Sequence, residues 1–158
     1  MDKPLKRHPF IIEYSRDHHF GLLLVWKIRQ GIIKNQEIEL IGNYIKLYAN
    51  ADLLPHFEEE EFLLTLLSPN DSIANMVKKE HIQLRNNLSY INENKFSYKI
   101  FEDFANLLEA HIRFEERVFF KHLQETIDFD TVNFTKKKES HNQKDIDKSW
   151  KHNFWEAK

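Results

Sequence analysis

The stretches HFEEEE at residues 56–61 and HIRFEE at residues 111–116 share the pattern H-x-x-x-E-E. On an α-helix, residues four positions apart lie on the same face, one turn from each other. Each stretch therefore presents an imidazole and a carboxylate to one point in space. A single H-x-x-x-E is expected roughly once by chance in this chain, whereas a second copy with a trailing glutamate is not. The repeat predicts two helices that face each other across a metal site.

The composition favours one all-α domain. The chain has 158 residues, of which 41% are hydrophobic and 30% charged, and its formal net charge is −2. With 3 glycines and 4 prolines, few turns and long helices are expected. The charge shows no basic bias, and we expect neither a nucleic-acid nor a membrane partner. The absence of cysteine excludes disulfides and thiolate metal sites and fits a reducing, cytoplasmic location.

Periodicity and helix breakers predict four helices. They are expected at about residues 9–31, 35–67, 71–90 and 97–125. Pro55 lies inside the second of these, so either that helix bends there or a separate helix starts at the proline. Short connections between long helices predict an antiparallel, up-down-up-down four-helix bundle over about residues 9–127.

The C-terminal stretch, residues 128–158, is charged and irregular but carries Trp150, Phe154 and Trp155. Large apolar rings that stay exposed in water usually mark an interaction site. We expect this tail to fold back and cover the bundle, so that residues 1–158 form a single domain with a C-terminal extension. The alternative is that the tail docks a partner.

Each predicted helix supplies at least one histidine. The candidate metal ligands are His18, His19, His56, Glu60, His81, His111 and Glu115. Of the adjacent first two we favour His18, because it follows an acidic residue and Gly21, one turn on, leaves room for a metal. Imidazole and carboxylate together bind iron, manganese or zinc, and six such ligands fit two metals better than one tetrahedral zinc. The Glu-x-x-His pattern of ferritin-like sites is absent.

This combination resembles the hemerythrin-like proteins with HHE cation-binding domains. The matching motifs are Asp17-His18-His19, His56-x-x-x-Glu60-Glu61, Glu80-His81 and His111-x-x-x-Glu115-Glu116. The resemblance covers about residues 7–127 and implies a four-helix bundle around two non-heme iron ions with an oxo or hydroxo bridge. It also implies two bridging carboxylates and four terminal imidazoles: Glu60 and Glu115, and His56, His81, His111 and one of His18 or His19.

The chain departs from the oxygen-carrying hemerythrins at two positions. Arg85 stands where those proteins have a second histidine on the third helix, and Glu115 where they usually have aspartate. The missing imidazole argues against reversible oxygen transport. We expect a di-iron protein that binds or reacts with oxygen or nitric oxide, or that senses oxygen or iron. Whether it is an enzyme stays open.

Two alternatives remain at this stage. The first is a di-iron oxidoreductase or an iron–sulfur repair protein, although repair members of the family carry an additional N-terminal region with cysteines that this sequence lacks. The second is a metal-free helical module that binds partners through its aromatic tail.

Overall fold

The computed structural model describes residues 7–130, 150 and 153–156, and this part of the chain is helical without strands. The α-helices are α1 (Pro9–Ile33), α2 (Ile38–Tyr48), α3 (Leu54–Leu64), α4 (Ser72–Asn92), α5 (Tyr98–Phe114) and α6 (Phe120–Thr126). Two π-helical turns, Ala49–Leu53 and Glu115–Phe119, join α2 to α3 and α5 to α6, and Phe154–Glu156 form a 3-10 turn. The chain therefore has four long helical segments. The predicted all-α class is confirmed, and the segments are consistent with a helical bundle.

Side-chain caps begin two helices where the sequence predicted them. The carboxylate of Asp71 accepts a hydrogen bond from the backbone N–H of Ala74 at 2.9 Å. The hydroxyl of Ser97 accepts one from the N–H of Ile100 at 3.0 Å. These caps satisfy N–H groups that have no partner within the first helical turn. The predicted starts of the third and fourth helices are confirmed.

The first helix continues two residues past Gly31, which was predicted to end it. The chain leaves α1 through Asn35, whose φ is 52°, and the N–H of Gln36 donates to the carbonyl of Gly31 at 2.9 Å. Asparagine tolerates this left-handed conformation and here takes the place usual for glycine. Gly31 instead permits close packing, because a Cβ there would lie 2.8 Å from the Phe154 ring. The helix thus ends two residues after the predicted position near Gly31, and this glycine has a packing role.

The chain stays helical on both sides of Pro55. The N–H of Leu54 donates to the carbonyl of Ala49, which is the wider bond of a π turn. Proline has no N–H, and in a regular helix its ring clashes with the carbonyl four residues earlier. The α-helix α3 begins at Leu54, beside the proline, which is close to the alternative of a second helix that starts there; a π turn joins it to α2 without a loop.

Two buried apolar clusters flank the middle of the helical assembly. α1 packs against α5 and α2, and α4 packs against α2, α3 and α5. The first cluster includes Leu24 and Leu108, and the second includes Ile11 and Phe119. Along each helical segment, the candidate ligands lie between residues of the first cluster and residues of the second. The ligands thus lie in a polar layer between two dry cores. Within the described residues, no helix is both long and apolar enough to span a membrane.

The C-terminal rings pack on the first cluster. Phe154 and Trp155 are buried there, and Trp150 lies against the cluster. The Lys27 Nζ donates to the Tyr44 hydroxyl at 3.0 Å and lies 4.0 Å from the centre of the Trp155 ring. We call Lys27, Tyr44, Phe154 and Trp155 the aromatic clasp. It holds the described end of the tail on α1 and α2.

Candidate metal centre

Six of the seven candidate ligands converge in the interior. Glu60 and Glu115 are 0% exposed, and none of the four histidines is more than 6% exposed. Their ligand atoms form two groups, each with all atoms within 4.8 Å of one another: His18, His56, Glu60 and Glu115, and Glu60, His81, His111 and Glu115. The two glutamates belong to both groups. Each group could hold one metal ion, and the shared carboxylates lie between the two positions.

The seventh candidate, His19, is exposed and lies outside both groups. Adjacent helical residues point about 100° apart, so only one of two neighbouring histidines can face the centre. His18 is the one that does, and its ring stacks on that of Phe120 at 5.1 Å. The geometry thus supports the preference for His18 over His19.

Each of the four buried imidazoles contacts a carboxylate of another helical segment through its Nδ1. The pairs are His18 with Glu116 at 2.8 Å, His56 with Asp17 at 3.0 Å, His81 with Glu61 at 3.2 Å and His111 with Glu80 at 2.7 Å. An ionised carboxylate can only accept, so each Nδ1–H donates and each Nε2 is directed inward. Imidazoles that bind metals are commonly oriented in this way.

These four outer carboxylates form a closed ring around the assembly. Each is next in sequence to an inner ligand and orients the histidine of another helix. Asp17 of α1 contacts α3, Glu61 of α3 contacts α4, Glu80 of α4 contacts α5, and Glu116, just after α5, contacts α1. The three glutamates belong to the sequence motifs quoted above. The role of Asp17 was missed, although its place beside His18 was a signal for it.

Within the centre, His18 Nε2 and Glu115 Oε1 are hydrogen-bonded at 3.0 Å, but the other six inward atoms lack hydrogen-bond partners among the described residues. These atoms are Nε2 of His56, His81 and His111, both carboxylate oxygens of Glu60, and Oε2 of Glu115. Some lie close together, as His56 Nε2 and Glu60 Oε1 do at 3.0 Å, but without hydrogen-bond geometry. A buried polar atom without a partner costs about 1–3 kcal/mol. Metal ions bonded to these atoms would remove that cost, so the residues fit a metal centre.

Burial and charge act in opposite directions on the ionisable groups of the centre. Burial lowers the pKa of His56 and His111, but the carboxylates around them raise it to about 10 in each case. Burial raises the pKa of Glu60, while the adjacent imidazoles, His56 first, bring it well below its usual range. Without metal, the imidazoles of His56 and His111 therefore hold protons that a metal must displace.

The charge of the whole centre matches that of two divalent cations. Two guanidiniums, those of Arg7 and Arg85, donate to outer carboxylates. With neutral imidazoles, the six inner and outer carboxylates and the two guanidiniums leave four negative charges. Two divalent ions would neutralise them, which makes the uptake of two cations favourable in a buried setting.

Arg85 does not enter the centre. Its NH1 donates to Glu61 Oε1 at 2.7 Å, and its guanidinium lies 5.7 Å from the centre of the Phe57 ring. The Phe57 ring in turn stacks on His81 with centroids 4.3 Å apart. Arg85 thus contacts the outside of the centre, and Phe57 covers His81.

A small cavity borders the group that contains His18 and His56. Its volume is about 30 Å³. One side of the cavity is largely apolar and is lined by Gly21, Leu53, Leu108 and Ile112. The other side is polar and is lined by Tyr48 and Asp52. This volume holds one or two molecules of the size of water. The cavity therefore gives room beside one metal position for a small ligand only.

No family model, curated protein or solved structure matches the chain. The similarity to hemerythrin-like proteins therefore stays a prediction from the motifs. The buried histidine and glutamate groups could hold metal ions, and their donor atoms indicate a cation that accepts imidazole and carboxylate ligands.

Proposed function

We propose that this chain is a hemerythrin-like protein that binds two non-heme iron ions and uses them to bind, react with or sense a small diatomic ligand, oxygen or nitric oxide. One observation carries the proposal: six inward atoms of the centre, on His56, Glu60, His81, His111 and Glu115, are buried and lack hydrogen-bond partners among the described residues. In this proposal Glu60 and Glu115 bridge the two ions, because each belongs to both ligand groups. Two imidazoles complete the protein ligands of each ion.

The proposal includes an antiparallel, up-down-up-down arrangement of the four helical segments. It is supported by the short connections between α1 and α2, α3 and α4, and α4 and α5. A cytoplasmic location stays a prediction from the cysteine-free sequence.

The chain's own residues prepare the centre for a small ligand. When bound, paired iron supplies electrons and open coordination positions. The outer carboxylates fix the orientation of the imidazoles. The cavity beside His18 and His56 restricts what can approach to molecules of about one or two waters in volume. The apolar clusters on both sides of the polar layer exclude bulk water.

Spectroscopy of the iron-loaded protein tests this function. Protein loaded anaerobically with iron(II) should develop charge-transfer bands in the near-ultraviolet when oxygen or nitric oxide is admitted. Zinc-loaded protein is the control, because zinc has no redox chemistry. No spectral change with either gas would contradict the proposed ligand class. Bands that disappear when the gas is removed would indicate reversible binding.

Two other functions can be distinguished from the proposed one. A permanent spectral change with turnover of a reductant would favour a di-iron oxidoreductase or a repair-type protein. A metal-free interaction module that docks partners through its tail is disfavoured by the burial of Phe154 and Trp155 in the core.

A further inference from the structure

Two of the four outer carboxylates are held by arginines. Arg7 NH1 donates to Glu116 Oε2 at 2.6 Å, and Arg85 NH1 donates to Glu61 Oε1 at 2.7 Å. Glu116 is the carboxylate that orients His18, and Glu61 the one that orients His81. Hydrogen bonds between two charged groups are short and are among the strongest in proteins.

The two arginines occupy equivalent places in the centre. The acidic residue and histidine of α1, Asp17-His18, recur in α4 as Glu80-His81, and the H-x-x-x-E-E of α3 recurs at the end of α5. The centre thus consists of two matching halves, and each half has one arginine on the carboxylate that follows its H-x-x-x-E. Arg7 precedes α1 whereas Arg85 lies within α4, so the two side chains reach matching carboxylates from unrelated positions in the sequence.

Neither glutamate is deeply buried. The side chain of Glu116 is 26% exposed and that of Glu61 is 34% exposed. Glutamate loses side-chain conformational freedom when it is fixed, and a partly exposed one has water as a competing partner. A guanidinium, which stays charged at any pH a protein tolerates, favours the ionised, fixed carboxylate. Arg7 adds a second contact, because its NH2 donates to the Glu116 carbonyl at 3.2 Å.

We propose that Arg7 and Arg85 are equivalent positioning residues, each of which fixes one glutamate so that this glutamate orients one metal-binding imidazole. Arg7 acts on the metal position of His18 and His56, and Arg85 on that of His81 and His111. The consequence for metal affinity rests on the proposed function. The orientation of the imidazoles does not, because hydrogen bonds of the chain's own side chains set it.

The first test uses metal-free protein and nitrogen-15 NMR of the histidine side chains. A Nδ1–H proton is observed when its hydrogen bond protects it from exchange with water. Arg85→Gln should broaden or abolish the His81 Nδ1–H resonance and leave that of His18, and Arg7→Gln should do the reverse. Arg113→Gln, at an exposed arginine 3.5 Å from Glu109, is the matched control. The proposal would be overturned if neither variant changed the His18 or the His81 resonance. It would also be overturned if each variant changed both resonances to the same extent.

The second test measures zinc affinity at the two positions by competition with a chelator. Loss of an outer partner lowers metal affinity about 10- to 100-fold. Because each arginine acts through its glutamate, Arg85→Gln should weaken one of two zinc positions about tenfold, at the low end of that range. In a Glu61→Gln background the same substitution should have no further effect. An undiminished effect in that background would overturn the proposal.

The two tests separate the possible failures. Wild-type protein that takes up no zinc or iron would refute the proposed function, while the NMR result still decides the role of the arginines. Arg85→Lys keeps the charge but not the planar fork, so it should retain part of the His81 signal. It also replaces Arg85→Gln if that variant does not fold.

Discussion

The aromatic clasp and the candidate metal centre both bury charged groups, but only in the clasp does the buried charged group have partners within the chain. Lys27 is 3% exposed, and its Nζ has the Tyr44 hydroxyl at 3.0 Å and the Trp155 ring at 4.0 Å. Glu60 is 0% exposed, and neither of its oxygens has a hydrogen-bond partner among the described residues. Burial of charge alone therefore does not identify a binding site. A cluster of inward polar atoms without partners, like the six atoms of the candidate centre, does.

The largest expected effect follows from removing a shared ligand of the centre. Glu60→Ala takes a carboxylate from both groups, so metal uptake should fall from two ions per chain to at most one. The loss of affinity should exceed the 10- to 100-fold effect of losing an outer partner. Elemental analysis after anaerobic loading measures it. Glu58→Ala, at an exposed position of the same helix, is the control, and equal stoichiometry in both variants would refute the bridging role.

The clasp should respond in the opposite way. Trp155→Ala removes a buried ring that covers Lys27, and truncation of a buried tryptophan costs about 3–5 kcal/mol of unfolding free energy. Denaturant unfolding should show this loss, while metal uptake stays at two ions per chain. Trp26→Ala is the control, because Trp26 is 48% exposed. A Trp155→Ala protein of normal stability, or one that loses metal while folded, would show that the two regions are not distinct in the way described.

A smaller effect is expected from pH, and only at the centre. With the pKa of His56 and of His111 raised to about 10, both imidazoles are protonated in the metal-free protein at neutral pH. Metal binding displaces these protons, so the apparent affinity should rise with pH by about tenfold per pH unit for each proton released. Glu60, with its pKa well below the usual range, adds nothing to this slope.

Zinc competition assays at pH 6, 7 and 8 measure this slope, and the dependence of the binding heat on the buffer counts the protons released. An affinity that does not change over this range would contradict the protonated state of the imidazoles.

The sequence predicted the polar centre well because its ligands are tied to helical spacing. H-x-x-x-E fixes a histidine and a glutamate on one face wherever the helix runs, so His56 with Glu60 and His111 with Glu115 follow from local geometry. The choice between His18 and His19 was harder, because both lie on the same helix. It depends on which face meets the other helices, and that is decided by packing.

Contacts between distant segments were beyond the sequence. Arg7 and Glu116 are separated by 109 residues, and no pattern in either stretch predicts their contact. The π turn before Pro55 was also missed, since only the balance between a proline and its neighbours decides whether a helix bends, breaks or widens. The packing role of Gly31 was not predictable either, because its contact joins it to Phe154, a residue far away in the chain.

The central claim is that four histidines and two glutamates bind two metal ions per chain. It is tested most directly by loading the purified protein with iron(II) under anaerobic conditions, removing free iron and measuring the iron-to-protein ratio by elemental analysis. We predict a ratio of two, because the two ligand groups share Glu60 and Glu115 and fill together. A ratio of one or less would contradict the claim.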